Sequence, residues 1–342
     1  MHSAPPVISV VVPAYRCAET ISKALDSVFS QTFSEYEVIV VNDGSPDTPR
    51  LRRVLAPYLG RIRYIQQANR GPSGARNAGI KHACGKYVAF LDSDDFWLEH
   101  HLENQVTLLT KDRTLGLVYA NPLILDGTFP LGDAFGLVPQ SLPVTFESLA
   151  REASRIPTSS VVASREQLLS AGLFDENMRR CEDFDLWMRM AHAGCRIAFS
   201  TEIQLCHHRM NGLSSGRLAM KRARIQVYEK MKRALPLTVD ERRTVERKIA
   251  LGEAEYQIEL AKAELLGRNY GEALVAATRA NEVLDSWKLR VALHGLRTAP
   301  RLLLESYRAY EWILDVRNRS IRRTKQVASI DDRVSFNQRL TS

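Results

Sequence analysis

The sequence predicts an α/β protein, a mainly parallel, Rossmann-like sheet flanked by helices, followed by an all-helical C-terminal region. Three observations carry this. Short, nearly unbroken apolar runs such as VISVVVPAY and EVIVVNDGS have strand length, as expected for strands covered on both faces. They alternate over the first 120 residues with segments whose apolar residues recur at helical spacing, the pattern of a parallel sheet between helical layers. Beyond Ser215 the strand signals stop and only helical periodicity remains.

The elements follow in order. Val7–Tyr15 is the first strand. Ile21, Leu25, Val28 and Phe29 mark a helix. Glu37–Ser45 is the second strand and ends in a turn signal. Thr48–Leu59 reads as helix, Ile62–Asn69 as the third strand, and Gly71–Cys84 as a helix opened by glycines. Lys86–Asp92 is the fourth strand, Leu98–Thr110 a helix, and Leu115–Asn121 a fifth strand. Residues 122–160 are rich in Gly and Pro and have no clean period, which fits either a mobile loop over a site or an irregular connection. From Ser164 to Met190 a helix, a turn and a second helix are expected, and CRIAFSTEIQLCHHR is a last strand. Four helical segments follow. Within them Ala254–Asp285 resembles a single tetratricopeptide-like hairpin, in Leu260, Ala261, Leu266, Gly267, Tyr270, Ala273, Ala277 and Ala280. One such repeat cannot bury its own faces and must dock on its neighbours. The expected boundaries are 1–216 for the α/β domain (halves of about 1–120 and 121–216), 217–330 for the helical region with the hairpin at 254–285, and 331–342 for a flexible tail.

Composition excludes several classes. The 342 residues contain 45% hydrophobic and 25% charged residues, ordinary globular values. No stretch approaches the roughly 20 apolar residues of a membrane span, and no basic segment precedes the first apolar run, so a signal peptide is not expected. The five cysteines form no CxxC pair, so buried or half-buried thiols in a reducing cytoplasm are expected. The net charge of +8 is uneven: residues 217–342 carry 26 Lys+Arg against 16 Asp+Glu. An anionic membrane surface is therefore an expected partner of the C-terminal third, through Leu303, Tyr307, Tyr310, Leu314 and Ile321 with the arginines around them, and peripheral attachment to the inner face follows. The bland alternative is that this stripe packs on the α/β domain. Aromatic-interleaved basic strands and a recognition-helix signal are missing, so nucleic acid is not an expected partner.

Ligands of parallel sheets bind beyond the carboxyl ends of the strands. Those ends carry Pro13-Ala14-Tyr15, Asn42-Asp43-Gly44-Ser45, Asn69-Arg70-Gly71 and Asp92-Ser93-Asp94-Asp95. The last crowds three carboxylates into four positions, which repel unless something positive lies among them. An acidic helix N-terminus is the structural alternative. Gly71, Gly74 and Gly79 match neither the GxGxxG nor the GxxxxGK[ST] phosphate loop.

Taken in order, PAY, VNDGS, NRGPSGARNAG, LDSDD, CEDFDLW and HHR…LSS resemble the inverting family 2 glycosyltransferases, over roughly residues 6–216. The resemblance implies a GT-A type fold and transfer of a hexose-type sugar from a nucleotide-sugar, a UDP-sugar being favoured, to a saccharide or lipid-linked saccharide in envelope polysaccharide or glycoconjugate assembly. It implies Mn²⁺ or Mg²⁺, bound by the DxD pattern of Asp92 and Asp94, with Asp95 able to exchange roles with Asp94. It implies nucleotide-sugar contacts from Pro13, Tyr15, Asp43, Arg76, Asp92, Asp94 and Arg209. It implies Asp183 as the base, with Glu182 and Asp185 as the alternatives. Direct displacement needs no protein nucleophile. The rival expectation is an inactive adaptor of the same fold, working through its basic helices.

Overall fold

The computed structural model of the chain describes residues 5–127, 129–208 and 216–310. They divide into two compact units, Met1–Ser215 with Gln226–Val245, and Gly216–Ile225 with Glu246–Ser342.

Among the described residues the first unit is built on a nine-stranded mixed sheet. Its strands are β1 (Ile8–Ala14), β2 (Tyr36–Asp43), β3 (Arg63–Gln67), β4 (Tyr87–Phe90), β5 (Phe96–Trp97), β6 (Leu115–Asp126), β7 (Phe129–Asp133), β8 (Val162–Ser164) and β9 (Arg196–His208). The order is β3-β2-β1-β4-β8-β6-β9-β5, with β7 on β6. The first half of the unit is parallel as expected, with β1 between β2 and β4 and Ile8 opposite both Tyr36 and Tyr87. β8 enters antiparallel between β4 and β6, and β5 is antiparallel to β9. These two strands, three and two residues long, were not expected, because runs so short cannot show a period of two.

The helices include α1 (Ile21–Phe29), α2 (Thr48–Leu55), α3 (Gly71–His82), α4 (His101–Lys111), α5 (Ala134–Leu137), α6 (Phe146–Ala150), α7 (Arg165–Ser170), α8 (Glu182–His192), α9 (Arg217–Ala234), α10 (Val239–Leu266), α11 (Tyr270–Leu284) and α12 (Trp287–Thr298), and residues 300–310 are helical as well. The expected fifth strand runs five residues further than Asn121. Pro122 is tolerated because the β6–β9 register shifts there, between Asn121 and Pro122. The stretch 122–160 thus contains β7, α5, α6 and a 3₁₀ turn at Thr158–Ser160.

The core of the first unit is the apolar face of the sheet against its helices, with Ile8, Val10, Val12, Leu25, Leu51 and Leu91 fully buried. Two glycines set its geometry. A Cβ on Gly79 would lie 2.3 Å from Val11 Cγ1, so α3 lies against β1 only because that side chain is missing. Gly44 has φ +63°, and its Cβ would meet the Asn69 amide at 2.7 Å, which brings the β2 and β3 exits together.

In the second unit, Leu265, Ala273, Ala277, Leu293, Leu296 and Leu304 form a separate small core. The small residues of the tetratricopeptide-like hairpin are its buried face, and Leu303 and Tyr307 pack against the same core. Leu314, Ile321 and the arginines beyond them lie outside the described residues. Among the described residues no helix is long and apolar enough to cross a membrane.

Candidate functional site

The exits of the parallel strands are tied to one another by short polar bridges. The Arg16 amide donates to Ser45 Oγ at 2.7 Å and the Ala18 amide to Asp47 Oδ2 at 3.1 Å, which joins the loops after β1 and β2. Asp43 is buried, and its Oδ1 accepts from Gln67 Nε2 at 2.7 Å and from the Arg70 amide at 2.9 Å. It therefore holds the exit of β3 as well as standing at the end of β2. Pro13 is partly exposed in β1, and the Tyr15 ring beyond it is 43% exposed.

The carboxylates after β4 have three different environments. Asp92 accepts from Arg76 Nη2 at 2.7 Å, and Arg76 Nη1 donates to Glu182 Oε1 at 2.9 Å. One buried guanidinium from α3 thus joins the end of β4 to the start of α8. Burial alone would lower the Arg76 pKa, but Asp92 and Glu182 outweigh it and push it further up. Burial pushes the Glu182 carboxyl up against the pull of Arg76.

Asp95 is 1% exposed. Its Oδ2 lies 2.9 Å from His207 Nδ1 and its Oδ1 accepts the His208 amide at 3.0 Å. His208 Nδ1 lies 2.7 Å from the Asp94 carbonyl, which can only accept, so this nitrogen carries the proton. With the antiparallel pairs Phe96–Cys206 and Trp97–Leu205, these bonds join the carboxylate turn and the end of β9 into one piece.

Asp94 has no ion pair among the described residues. Burial, then repulsion by Asp95 and Asp92, pushes its carboxyl up to about 6. Arg76 compensates Asp92, His207 compensates Asp95, and the unmet demand for positive charge falls on Asp94. Among the described residues no three His, Cys, Asp or Glu side chains form a ready-made metal cage.

Burial alone would lower His207, but its bond to Asp95 and the charges of Asp95, Asp92 and Asp94 outweigh it and push it up to about 9. The folded state therefore keeps a proton that the unfolded chain releases near pH 6.5. That stabilisation is complete below about pH 6.5 and is lost as pH rises through about 9. Because the His207 side chain is half exposed, the effect is on the order of 1 kcal/mol, about 2–4 °C in Tm for a unit of this size. Melting the ligand-free protein from pH 6.5 to 9.5 should show this decline, and Asp95→Asn should flatten it. An equal slope in both proteins would exclude the pair as its source.

Asp183 lies in the first turn of α8, after Cys181 at φ +56°. Its Oδ2 accepts from Thr158 Oγ1 at 2.9 Å and its Oδ1 from the Phe184 amide at 2.7 Å. The same 3₁₀ turn supplies Ser159, whose Oγ accepts the Asp92 amide at 3.2 Å and whose carbonyl accepts Trp97 Nε1 at 2.7 Å. Thr158 and Ser159 were not singled out in the sequence; their only signal was a polar TSS triplet ahead of an apolar run. Asp185 is fully buried between Arg189 and Lys230, at 2.6 and 2.8 Å. Arg209 lies outside the described residues. The strand-end residues, the carboxylate turn and the ED pair are thus linked through Arg76, Asp43 and the 158–160 turn.

Comparison with known proteins gives a consistent picture. The family model described as glycosyl transferase family 2 matches residues 9–148. A UDP-Glc:alpha-D-GlcNAc-diphosphoundecaprenol beta-1,3-glucosyltransferase of Escherichia coli is 32% identical over 53% of this chain and 68% of its own length. The chain spans only 27–31% of the length of three further relatives, uncharacterized glycosyltransferases of Rickettsia, at 30–31% identity. Among solved structures, S. aureus TarS 1-349 in complex with UDP-GlcNAc matches with a TM-score of 0.59 and 20% identity, over 88% of this chain and 91% of that one. A mannosyltransferase from Pyrobaculum calidifontis in complex with GDP-Man and Mn²⁺ matches with a TM-score of 0.58 and 21% identity, over 91% and 90%. These two likenesses bear out the GT-A type fold.

Proposed function

The chain belongs to glycosyl transferase family 2, and on that premise we propose that it moves a sugar from a nucleotide-sugar, in the first instance a UDP-sugar, to a hydroxyl of a saccharide or lipid-linked saccharide, with inversion. The observation that carries this reading is the Asp94 carboxylate, which has no ion pair among the described residues at a strand exit where its two neighbours each have one. Such a group suits a hard dication, Mn²⁺ or Mg²⁺, which takes one or two protein carboxylates and completes its shell with substrate phosphates. Bound there, the cation would stabilise the charge of a departing nucleoside diphosphate.

The other roles belong to the chain's own groups. Asp43, with Pro13 and Tyr15 beside it, borders the space for a nucleotide at the β1 and β2 exits. Arg76 holds Asp92 in place for the donor and fixes Glu182 at the start of α8. Asp183, oriented by Thr158 and the Phe184 amide, accepts the proton of the attacking hydroxyl. Asp95 serves the architecture of the turn, and Asp94 is the group that would hold the cation. UDP is the first choice because the E. coli relative's name specifies UDP-Glc. The same name and its diphosphoundecaprenol acceptor motivate the envelope-polysaccharide reading.

Calorimetry with UDP tests the proposal. Affinity for UDP should fall at least about tenfold when Mn²⁺ is replaced by chelator, the loss of about 1.4 kcal/mol. Asp94→Asn should bind UDP equally weakly in both conditions and should not turn over a UDP-sugar. Equal UDP affinity with Mn²⁺ and with chelator in the wild-type protein would reject the metal role. No binding of any nucleoside diphosphate would favour the adaptor.

A further inference from the structure

We infer that the second half of α9 is a working part of the catalytic unit, and that Lys230 is a positioning residue for Asp183. This rests on Asp183 as the base, and it concerns residues outside the span that the family model matches.

Asp183 points where the first turn of α8 points it, so whatever fixes that turn fixes the base. Its apolar side is held by Leu186, Trp187 and Met190, with Trp187 against Phe90 and Phe174. Its polar side depends on Asp185. This carboxylate is fully buried. Arg189, one turn along, binds its Oδ2 and also donates to the carbonyls of Ala171 and Leu173. Lys230 Nζ lies 2.8 Å from Asp185 Oδ1, an ion pair without hydrogen-bond alignment, and the same ammonium donates a hydrogen bond to Asp175 Oδ2 at 2.7 Å. One cation from α9 therefore joins α8 to the segment before it. Burial would raise the Asp175 carboxyl, but the bond and charge of Lys230 together with the bonds from Asn177 outweigh it and hold it below the usual carboxylate range.

A second contact comes from the same face of α9. Tyr228 is 2% exposed, meets the Phe184 ring edge-on at 5.6 Å between centroids, and donates its hydroxyl to the Ala150 carbonyl at 2.9 Å. The two residues that follow Asp183 are thus each held by a side chain of α9. Val227 and Met231 are fully buried beside them, and Gln226–Val245 falls within the first compact unit. Without Lys230 a buried carboxylate keeps only one of its cations, and the turn can relieve this by moving. A displacement of about 1 Å at a reacting group costs on the order of 10²-fold in rate.

The test uses the full chain as wild type, Lys230→Met and Lys230→Arg. Methionine keeps the length and the apolar stem but removes the charge; arginine restores it. Hydrogen exchange is followed in peptides covering 181–188, with 8–14 and 36–43 as references. UDP affinity is measured with Mn²⁺, and turnover with a UDP-sugar. Lys230→Met should speed exchange at 181–188 at least tenfold with the reference strands unchanged. UDP affinity should stay within twofold while turnover falls at least tenfold, and Lys230→Arg should recover most of both losses. Unchanged exchange at 181–188, or an equal rise in the reference strands, would overturn the inference. If wild type binds no UDP, the proposed function fails, and the exchange measurement still decides whether Lys230 orders this turn.

Discussion

Replacing Asp183 with Asn should lower turnover by roughly 10²–10⁴ and leave the affinity for UDP and Mn²⁺ within about twofold. The substitution keeps the size and shape of the side chain. Its carbonyl oxygen can still accept from Thr158 or from the Phe184 amide, the two donors that orient Asp183. What it removes is the capacity to take a proton from an incoming hydroxyl. The loss should therefore lie in kcat, with little change in Tm. The neighbouring carboxylates should behave differently. Glu182 is buried on Arg76, and Asp185 is buried between Arg189 and Lys230. Substituting either removes one of the carboxylates that compensate a buried cation, so stability should fall together with rate. A near-normal rate for Asp183→Asn beside a well-folded but inactive Glu182→Gln would move the base by one residue.

The first strands of the sheet were legible because strands buried on both faces must be apolar at consecutive positions, and β1 and β2 are largely so. Their exits were legible because polar turn residues interrupt those runs at the point where a parallel sheet binds its ligands. The assignment of cations to carboxylates was hidden. Arg76 reaches Glu182 across 106 positions and His207 reaches Asp95 across 112. No local pattern encodes pairings at that separation; they follow from the sheet order, which places β9 and β5 side by side. The role of α9 was hidden for a related reason. Its charged face reads as a solvated basic helix, and only the fold brings Lys230 to two acidic side chains.

Replacing Arg76 with Met should destabilise the folded protein by about 3–5 kcal/mol at neutral pH, the largest stability effect expected at this site. Methionine matches the stem and fills the space, so the cost is electrostatic. It leaves Glu182 without its one ion-pair partner among the described residues, at a position where burial already disfavours the charged form. Asp92, one third exposed, can recover some hydration and should contribute less. The sign with pH follows. Loss of Arg76 raises the folded pKa of Glu182 further above its unfolded value, so the penalty is full above the new pKa and shrinks as pH falls and the group takes up a proton. Chemical denaturation of Arg76→Met and wild type should therefore differ more at pH 7.5 than at pH 5. Arg76→Met with Glu182→Gln should recover a large part of the loss, because removing both charges costs less than stranding one. Arg76→Lys should recover little, since a single ammonium cannot span two carboxylates as the planar guanidinium does. A double variant no more stable than Arg76→Met alone would place the cost elsewhere, in the packing of the arginine stem against Phe174, where the guanidinium lies 5.5 Å from the ring.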